Sequence, residues 1–303
     1  MVESADDGQS VYFVLRNRMG VSEAIIRNIR RLNRGVQLDD APCRTDVLVR
    51  AGQEVSLTLF DSGRITAIQP ERGPVDIMFE DDHLLVANKP AGLVVHPSRG
   101  HFDGTLSNFV AHYLSERDCG CTAHPVNRLD KDTSGLIVFA KHAHAQNVLS
   151  AQMHTDEFER TYLAVCEGVF EQEAGEVRAP IARLRDEYGS FGVSDEGKPA
   201  ATHYQVLSCV PHPLDEGASL TLVRLRLETG RTHQIRVHMA HLGHPLLGDD
   251  AYGRPSTLIA RCALHSWRLA LDHPITGERL VLQAPIPSDM ARLPIPFEAN
   301  LSH

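Results

Sequence analysis

HPVNRLDKDTSGLIVFAK, residues 124–141, sets a charged cluster of Arg128, Asp130, Lys131 and Asp132 against a Thr-Ser-Gly turn that leads into the apolar run Leu136 to Ala140. Five apolar residues bounded by turn signals read as a buried strand. Polar chemistry is thereby placed at the mouth of an element that cannot leave the core, and rigid support is what a catalytic carboxylate needs. An ordinary surface turn, with Arg128 and Lys131 pairing Asp130 and Asp132, accounts for the same residues, and structural ion pairs outnumber catalytic ones. The rest of the chain has to decide between the two.

At 303 residues the chain is longer than one core usually fills, so two unequal domains are expected, residues 1–70 and residues 71–303. Hydrophobic residues make up 42 % and charged residues 23 %, which is ordinary for a globular protein. No apolar run reaches the length of a membrane span, and the start MVESADDGQS lacks the basic and apolar regions of a signal peptide. A cytoplasmic protein with no membrane partner is expected, as a monomer. Cys43, Cys119, Cys121, Cys166, Cys209 and Cys262 form no Cys-x-x-Cys pair, which excludes a zinc ribbon and points to reduced thiols.

A net charge of −9 weighs against nucleic acid, whose affinity comes from Lys and Arg neutralising phosphates. The charge is unevenly spread, however. Arg16, Arg18, Arg27, Arg30, Arg31 and Arg34 share their stretch with Glu23 as its only acid, a basic patch in an acidic protein. Val21, Ala24, Ile25, Ile29 and Leu32 recur at helical spacing there, with Ser22 as N-cap and Gly35 as stop. Val36 to Leu38 and Val55 to Leu59 read as short strands. This basic helix followed by a hairpin resembles the S4-like RNA-binding domain, which implies an RNA-gripping role for the six arginines. Ser62 to Val75, rich in Gly, Pro and charge, reads as a linker.

Beyond it, Ile77 to Glu80 and Leu84 to Asn88 are expected strands, a helix follows Thr105 with Leu106, Phe109, Val110 and Tyr113 inward, and residues 142–153 form another helix. Thr161 to Glu167 and Leu220 to Glu228 read as strands; the segment from residue 254 onward mixes short apolar runs with prolines and gives no clear order. The fold class expected is α+β, with a mixed, largely antiparallel sheet flanked by helices behind the small α+β amino-terminal domain.

LETGRTHQIRVHMAHLGHPLLGDDAYG, residues 227–253, predicts a helix capped by Thr232, with Ile235, Met239 and Leu242 facing the core and Gly243 and Pro245 ending it. Arg236 falls beside an apolar position and needs a carboxylate, for which Asp130 is a natural candidate. His233, His238, His241 and His244 invite a metal-dependent hydrolase, but no His-Glu-x-x-His order or helix-borne carboxylate completes a site. GVSDEGK, residues 192–198, has the frame of a phosphate-binding loop, yet Pro199 stands where Ser or Thr would hold magnesium.

Three separated stretches, VDIMFEDDHLLVANKPAGLVVHP, HPVNRLDKDTSGLIVFAK and LETGRTHQIRVHMAHLGHPLLGDDAYG, together resemble the signature segments of the RluA-type pseudouridine synthases, in the family's order, and RTYLAVCEG and GKPAATHYQVL add to the match. The resemblance implies an isomerase that converts uridine in RNA to pseudouridine with no cofactor, since the product is an isomer. It implies that Asp130 is the essential carboxylate, attacking C1′ or removing the C2′ proton, and that Arg236 pairs with it. Tyr162 would stack on the uracil and take the C5 proton, and Ile235 would wall the base pocket. Arg128 would fill the space left by a flipped-out base. Arg231, Lys131 and Lys141 are candidate phosphate contacts, and Lys89 is expected to support the loop. Asn127 stands where many members have His, which bears on substrate preference. Large-subunit ribosomal RNA is the expected substrate, with transfer RNA as runner-up and an inactive ribosome-assembly factor as the alternative from another class.

Overall fold

A computed structural model of the chain describes residues 1–59, 68–97, 102–117, 121–184 and 190–297. Cys119 and residues 62–67 of the expected linker lie outside the described residues.

The amino-terminal elements are α1 (Val11–Phe13), continued by a wider turn over Val14–Arg18, α2 (Glu23–Ile29), and the strands β1 (Val36–Leu38), β2 (Ala41–Pro42) and β3 (Val55–Leu57). They pack around their own apolar cluster, which includes Val11, Leu15, Ile26, Ile29 and Val36. Ser22 caps α2, accepting from the Ile25 amide. The helix is shorter than its apolar period, because the chain tightens after Ile29, and the Gly35 position, where a Cβ would come within 1.9 Å of the Ile29 carbonyl oxygen, admits no side chain.

The larger part is built from β4 (Ile77–Glu80), β5 (Leu84–Lys89), α3 (Leu106–Ser115), β6 (His124–Pro125), β7 (Ser134–Ala140), α4 (Ala143–Gln152), β8 (Glu159–Glu167), β9 (Ala174–Arg178), β10 (Ile181–Arg183), β11 (Phe191–Val193), β12 (Ala201–Pro211), β13 (Ser219–Leu227), α5 (Gln234–His241), β14 (Leu264–Asp272), β15 (Arg279–Gln283) and α6 (Ser288–Ala291). The main sheet runs β4-β5-β7-β14-β8-β13-β12-β9, with β15 beside β14 and β6 beside β7. Its pairings are antiparallel except β7 with β14. The α+β expectation with a mixed, largely antiparallel sheet holds.

Every residue of β7 is buried, because both faces of the sheet are covered. Ile137 and Phe139 face one apolar cluster with Leu85, Val223 and Leu225, against which Leu106 and Val110 of α3 and Met239 of α5 pack. Leu136, Val138 and Ala140 face the other, with Leu84, Val86 and Leu149. A strand buried on both faces reads as an unbroken apolar run, which is what Leu136 to Ala140 shows. Phe109 and Tyr113 of α3 are only partly buried, and Thr105 caps that helix in a capping box with Asn108.

The least legible segment proves central, for β14 joins the half-sheet β4-β5-β7 to the half-sheet β8-β13-β12-β9. Ser266 pairs with Gly135 of β7 on one side and with Tyr162 of β8 on the other. At Gly135 (φ 109°) a Cβ would lie 2.2 Å from the Ser266 carbonyl oxygen, so only glycine lets β14 pass. Strand spacing then puts Tyr162 about 10 Å across the sheet from the start of β7. Among the described residues no helix is long and apolar enough to cross a membrane.

Candidate active site

Asp130 lies in the turn between β6 and β7, and that turn is held by main-chain and side-chain bonds together. The Thr133 amide donates to the Asp130 carbonyl at 3.2 Å. Lys89, fully buried, directs its Nζ to the carbonyls of Lys131, Pro90 and Leu93 at 2.7–2.9 Å. Burial pulls the Lys89 ammonium down to about 7, yet three carbonyl acceptors call for the three donors that only the ammonium has. From the other side Arg261 donates to the Asp132 carbonyl and to Ser134 Oγ, and its charge is met by Asp289. Two buried cations thus grip the backbone of the turn, and Lys89 supports the loop as expected.

Asn127 is buried, and its Oδ1 accepts from the Val138 amide at 2.8 Å, pinning the approach to β7. Its Nδ2 has no partner among the described residues. Asn127, Arg128, Asp130, Tyr162, Arg231, His233 and Ile235 all line one open pocket of about 150 Å³. Residues scattered over more than a hundred positions meet there because β7, β14 and β8 lie side by side and α5 closes the end. Arg128 and Lys131 are exposed beside it, as is Arg231, whose Nε donates to the Pro199 carbonyl. Burial pushes the Tyr162 phenol up from its ordinary value, with Arg160 acting against the shift and Asp130 adding to it.

The expected pairing of Arg236 is corrected. Its Nε and Nη2 donate to the two carboxylate oxygens of Asp249 at 2.7 and 2.6 Å, and Asp249 is wholly buried. The turn through Gly243 and Gly248 folds the chain back, so an acid 13 residues along reaches the guanidinium ahead of Asp130. Burial works against the Arg236 charge; the bonds and charge of Asp249, with a smaller pull from Asp130, more than offset it and raise its pKa. The Tyr252 ring lies 5.0 Å from this guanidinium, and its hydroxyl meets His233 Nδ1 at 2.8 Å.

The cap of α5 also differs. His233, not Thr232, precedes the helix, with a left-handed backbone (φ 56°) and no side-chain cap. Gln234 instead folds back, accepting from Thr229 Oγ1 and the Arg231 amide while donating to Ala201 and Thr202. Non-glycine residues at positive φ cluster at functional sites, where surrounding bonds hold them. Ile235 and Met239 are buried, whereas Leu242 is 37 % exposed. Gly243 takes the left-handed stop.

Other expected contacts change as well. Lys141 is buried, with its Nζ on Glu80 at 2.7 Å, so it presents no charge to a phosphate. His238 bonds Thr202 and Ala179, and His244 bonds Glu167, so these imidazoles serve the fold. In the amino-terminal patch Arg18 is held by Asp6, Arg16 donates to the Val21 carbonyl, and Arg34 to Gln37 and Asp40. Arg27, Arg30 and Arg31 are the exposed remainder. Residues 192–198 form a turn off β11 with no helix after it, in keeping with the rejected phosphate loop.

A family model described as RNA pseudouridylate synthase matches residues 83–241, which hold the Asp130 turn, Tyr162 and Arg236. The chain is 39 % identical over 293 residues to the uncharacterized RNA pseudouridine synthase YhcT of Bacillus subtilis, covering 97 % of this chain and 95 % of that protein. It belongs to the RNA pseudouridine synthase family. This synthase is also 42 % identical over 277 residues to ribosomal large subunit pseudouridine synthase D of Nitrosomonas europaea, covering 88 % of this chain and 78 % of that one. Among solved structures, Human RNA Pseudouridylate Synthase Domain Containing 1 aligns with a TM-score of 0.56 at 26 % identity, over 71 % of this chain and 86 % of that one. The RNA pseudouridine synthase is therefore an isomerase acting on RNA.

Sequence reasoning passed over Arg160, Asp249 and Arg261. Arg160 stands two residues before Tyr162, and strand alternation alone puts the two on one face. Asp249 is in the quoted motif that holds Arg236. Arg261 falls in the segment that gave no order, and no local signal marked it.

Proposed function

We propose that the pocket around Asp130 isomerises a uridine of large-subunit ribosomal RNA, the observation that carries it being the carboxylate turn clamped opposite Tyr162 at one open pocket. Asp130 supplies the negative oxygen, at C1′ or at the C2′ proton; either route breaks the N1–C1′ bond and leaves the base free to turn. C5 then bonds C1′, displacing the Asp130 oxygen on the first route or with Asp130 returning the proton to C2′ on the second; the C5 proton departs and N1 ends with a proton, so atoms balance without a cofactor. Tyr162 offers its ring to the uracil. Its phenol enters protonated, so it takes the C5 proton only by passing its own proton on. Ile235 walls the base, and Arg236, locked to Asp249, stands behind Asp130 as a fixed positive charge. Arg128, exposed at the rim, fills the stack vacated by the flipped base, while Asn127 sets the loop, and Arg231 and Lys131 meet the backbone.

Residues 1–70 act in this reading as an S4-like RNA-binding domain. The exposed Arg27, Arg30 and Arg31 supply the contact, and the bonded Arg16, Arg18 and Arg34 shape it. Replacing Arg27, Arg30 and Arg31 together by Gln is expected to lower the salt slope of RNA binding by roughly 2 to 3, near one unit per lost phosphate contact. An unchanged slope would remove the domain from the RNA interface.

Ribosomal RNA is favoured by the name of the Nitrosomonas relative and by the basic domain ahead of the core. Deleting the gene and mapping pseudouridines by carbodiimide-dependent reverse-transcription stops is expected to remove stops from large-subunit ribosomal RNA. Stops lost from transfer RNA alone would overturn that choice.

A further inference from the structure

Three arginines are buried in the described structure, Arg160, Arg236 and Arg261, at 4, 8 and 9 % exposure. Arg236 is neutralised by Asp249 and Arg261 by Asp289. Arg160 has neither an ion pair nor a hydrogen bond among the described residues, and its Nε is sealed from solvent without a partner. A buried cation left without a counter-ion is costly, and such a cost persists where a ligand supplies the missing charge. The lone cation also lies in the right place. Arg160 lines the same pocket as Asp130, on the face of β8 that carries Tyr162. Its guanidinium reaches Gly230, another lining residue, where a built Cβ would lie 3.1 Å from Nη1.

We infer that Arg160 binds the phosphodiester of the target nucleotide, anchoring the backbone on one side of the pocket while the base enters against Tyr162. Of the parts of a uridine in RNA only the phosphate is anionic; the uracil carbonyls and ribose hydroxyls would leave the guanidinium charge unmet. The guanidinium fork matches phosphate geometry, and Arg160, only 4 % exposed, would meet the phosphate with charge-assisted hydrogen bonds. The inference rests on the assignment of this pocket to the target uridine.

The test uses the full chain and three probes, uridine, uridine 5′-monophosphate and uridine 3′-monophosphate, with binding measured by calorimetry. In the wild type one of the two phosphates is expected to tighten binding about tenfold or more over uridine, the scale of one hydrogen bond to a charged group. In Arg160→Gln that gain disappears while uridine itself binds as before, and Arg160→Lys keeps part of it. No gain in the wild type, or the same gain in Arg160→Gln, would overturn the inference. Arg160→Met adds a second reading: a melting temperature at or above the wild type supports a ligand-binding cation, and a large fall assigns Arg160 to the fold and overturns the proposal. Wild-type pseudouridine formation, measured alongside, separates the two claims. If it is present and the phosphate gain is absent, only the inference fails; if it is absent from every RNA tried, the assignment of the pocket fails first.

Discussion

Asp130→Asn is expected to abolish pseudouridine formation, with the rate falling at least about 10⁴-fold, while the protein stays folded and its affinity for RNA does not fall. The carboxamide matches the carboxylate in shape, so the turn held by Lys89 and Arg261 through the Lys131 and Asp132 carbonyls has no reason to move. What disappears is the negative oxygen that either route requires. Nucleoside analysis of digested RNA by liquid chromatography and mass spectrometry reads the product, and a filter-binding titration reads the affinity. Activity lost together with binding would point to a misfolded variant or to an RNA-anchoring role for the acid.

Asp249→Ala carries the largest expected cost in stability. Its carboxylate accepts both guanidinium donors of Arg236 and the amides of Ala251 and Tyr252, all inside the protein. Removing one partner of a buried pair strands the other charge, at about 3–5 kcal/mol. Arg236 would then pull on the other acids near it, Asp130 among them, and on the proposed mechanism a shift of Asp130 by about 1 Å is expected to cost about 100-fold in rate. Urea unfolding measures the first effect and single-turnover kinetics the second. Asp249→Asn, which keeps the amide contacts and loses the charge, is expected to fall between Asp249→Ala and the wild type in both. A variant as stable as the wild type would show that Arg236 does not depend on Asp249.

The elements flanking the site were legible where their burial leaves a simple pattern. Leu136 to Ala140 is apolar without interruption because both faces of β7 are covered, and the strands from Ile77 and Leu84 are set off by turn-forming aspartates. The strand LHSWRLALD, residues 264–272, carries the centre of the sheet, yet it mixes His, Ser, Arg and Trp with aliphatic residues. Its buried polar residues His265 and Ser266 are held by bonds made far away in sequence, as when His265 Nδ1 meets Ser134 Oγ at 2.9 Å and Ser266 Oγ donates to the Leu136 carbonyl, and no local period records such a bond. The same limit applies to Arg236. Its burial and its need for an acid followed from the helix pattern, but the choice between Asp130 and Asp249 is made by the turn through Gly248, a tertiary matter. Arg160 was hidden by its own charge: in FERTY, residues 158–162, it resembles a solvated residue, and only the sheet around it shows that it is buried against the pocket.

The central claim is that Asp130, opposite Tyr162, drives an isomerisation in which carbon 5 of uracil loses its hydrogen. Release of tritium from large-subunit ribosomal RNA labelled at uracil C5 measures that event. Release by the wild-type chain is expected without added cofactor, and none above background by Asp130→Asn. Release by Asp130→Asn at the wild-type rate would contradict that claim.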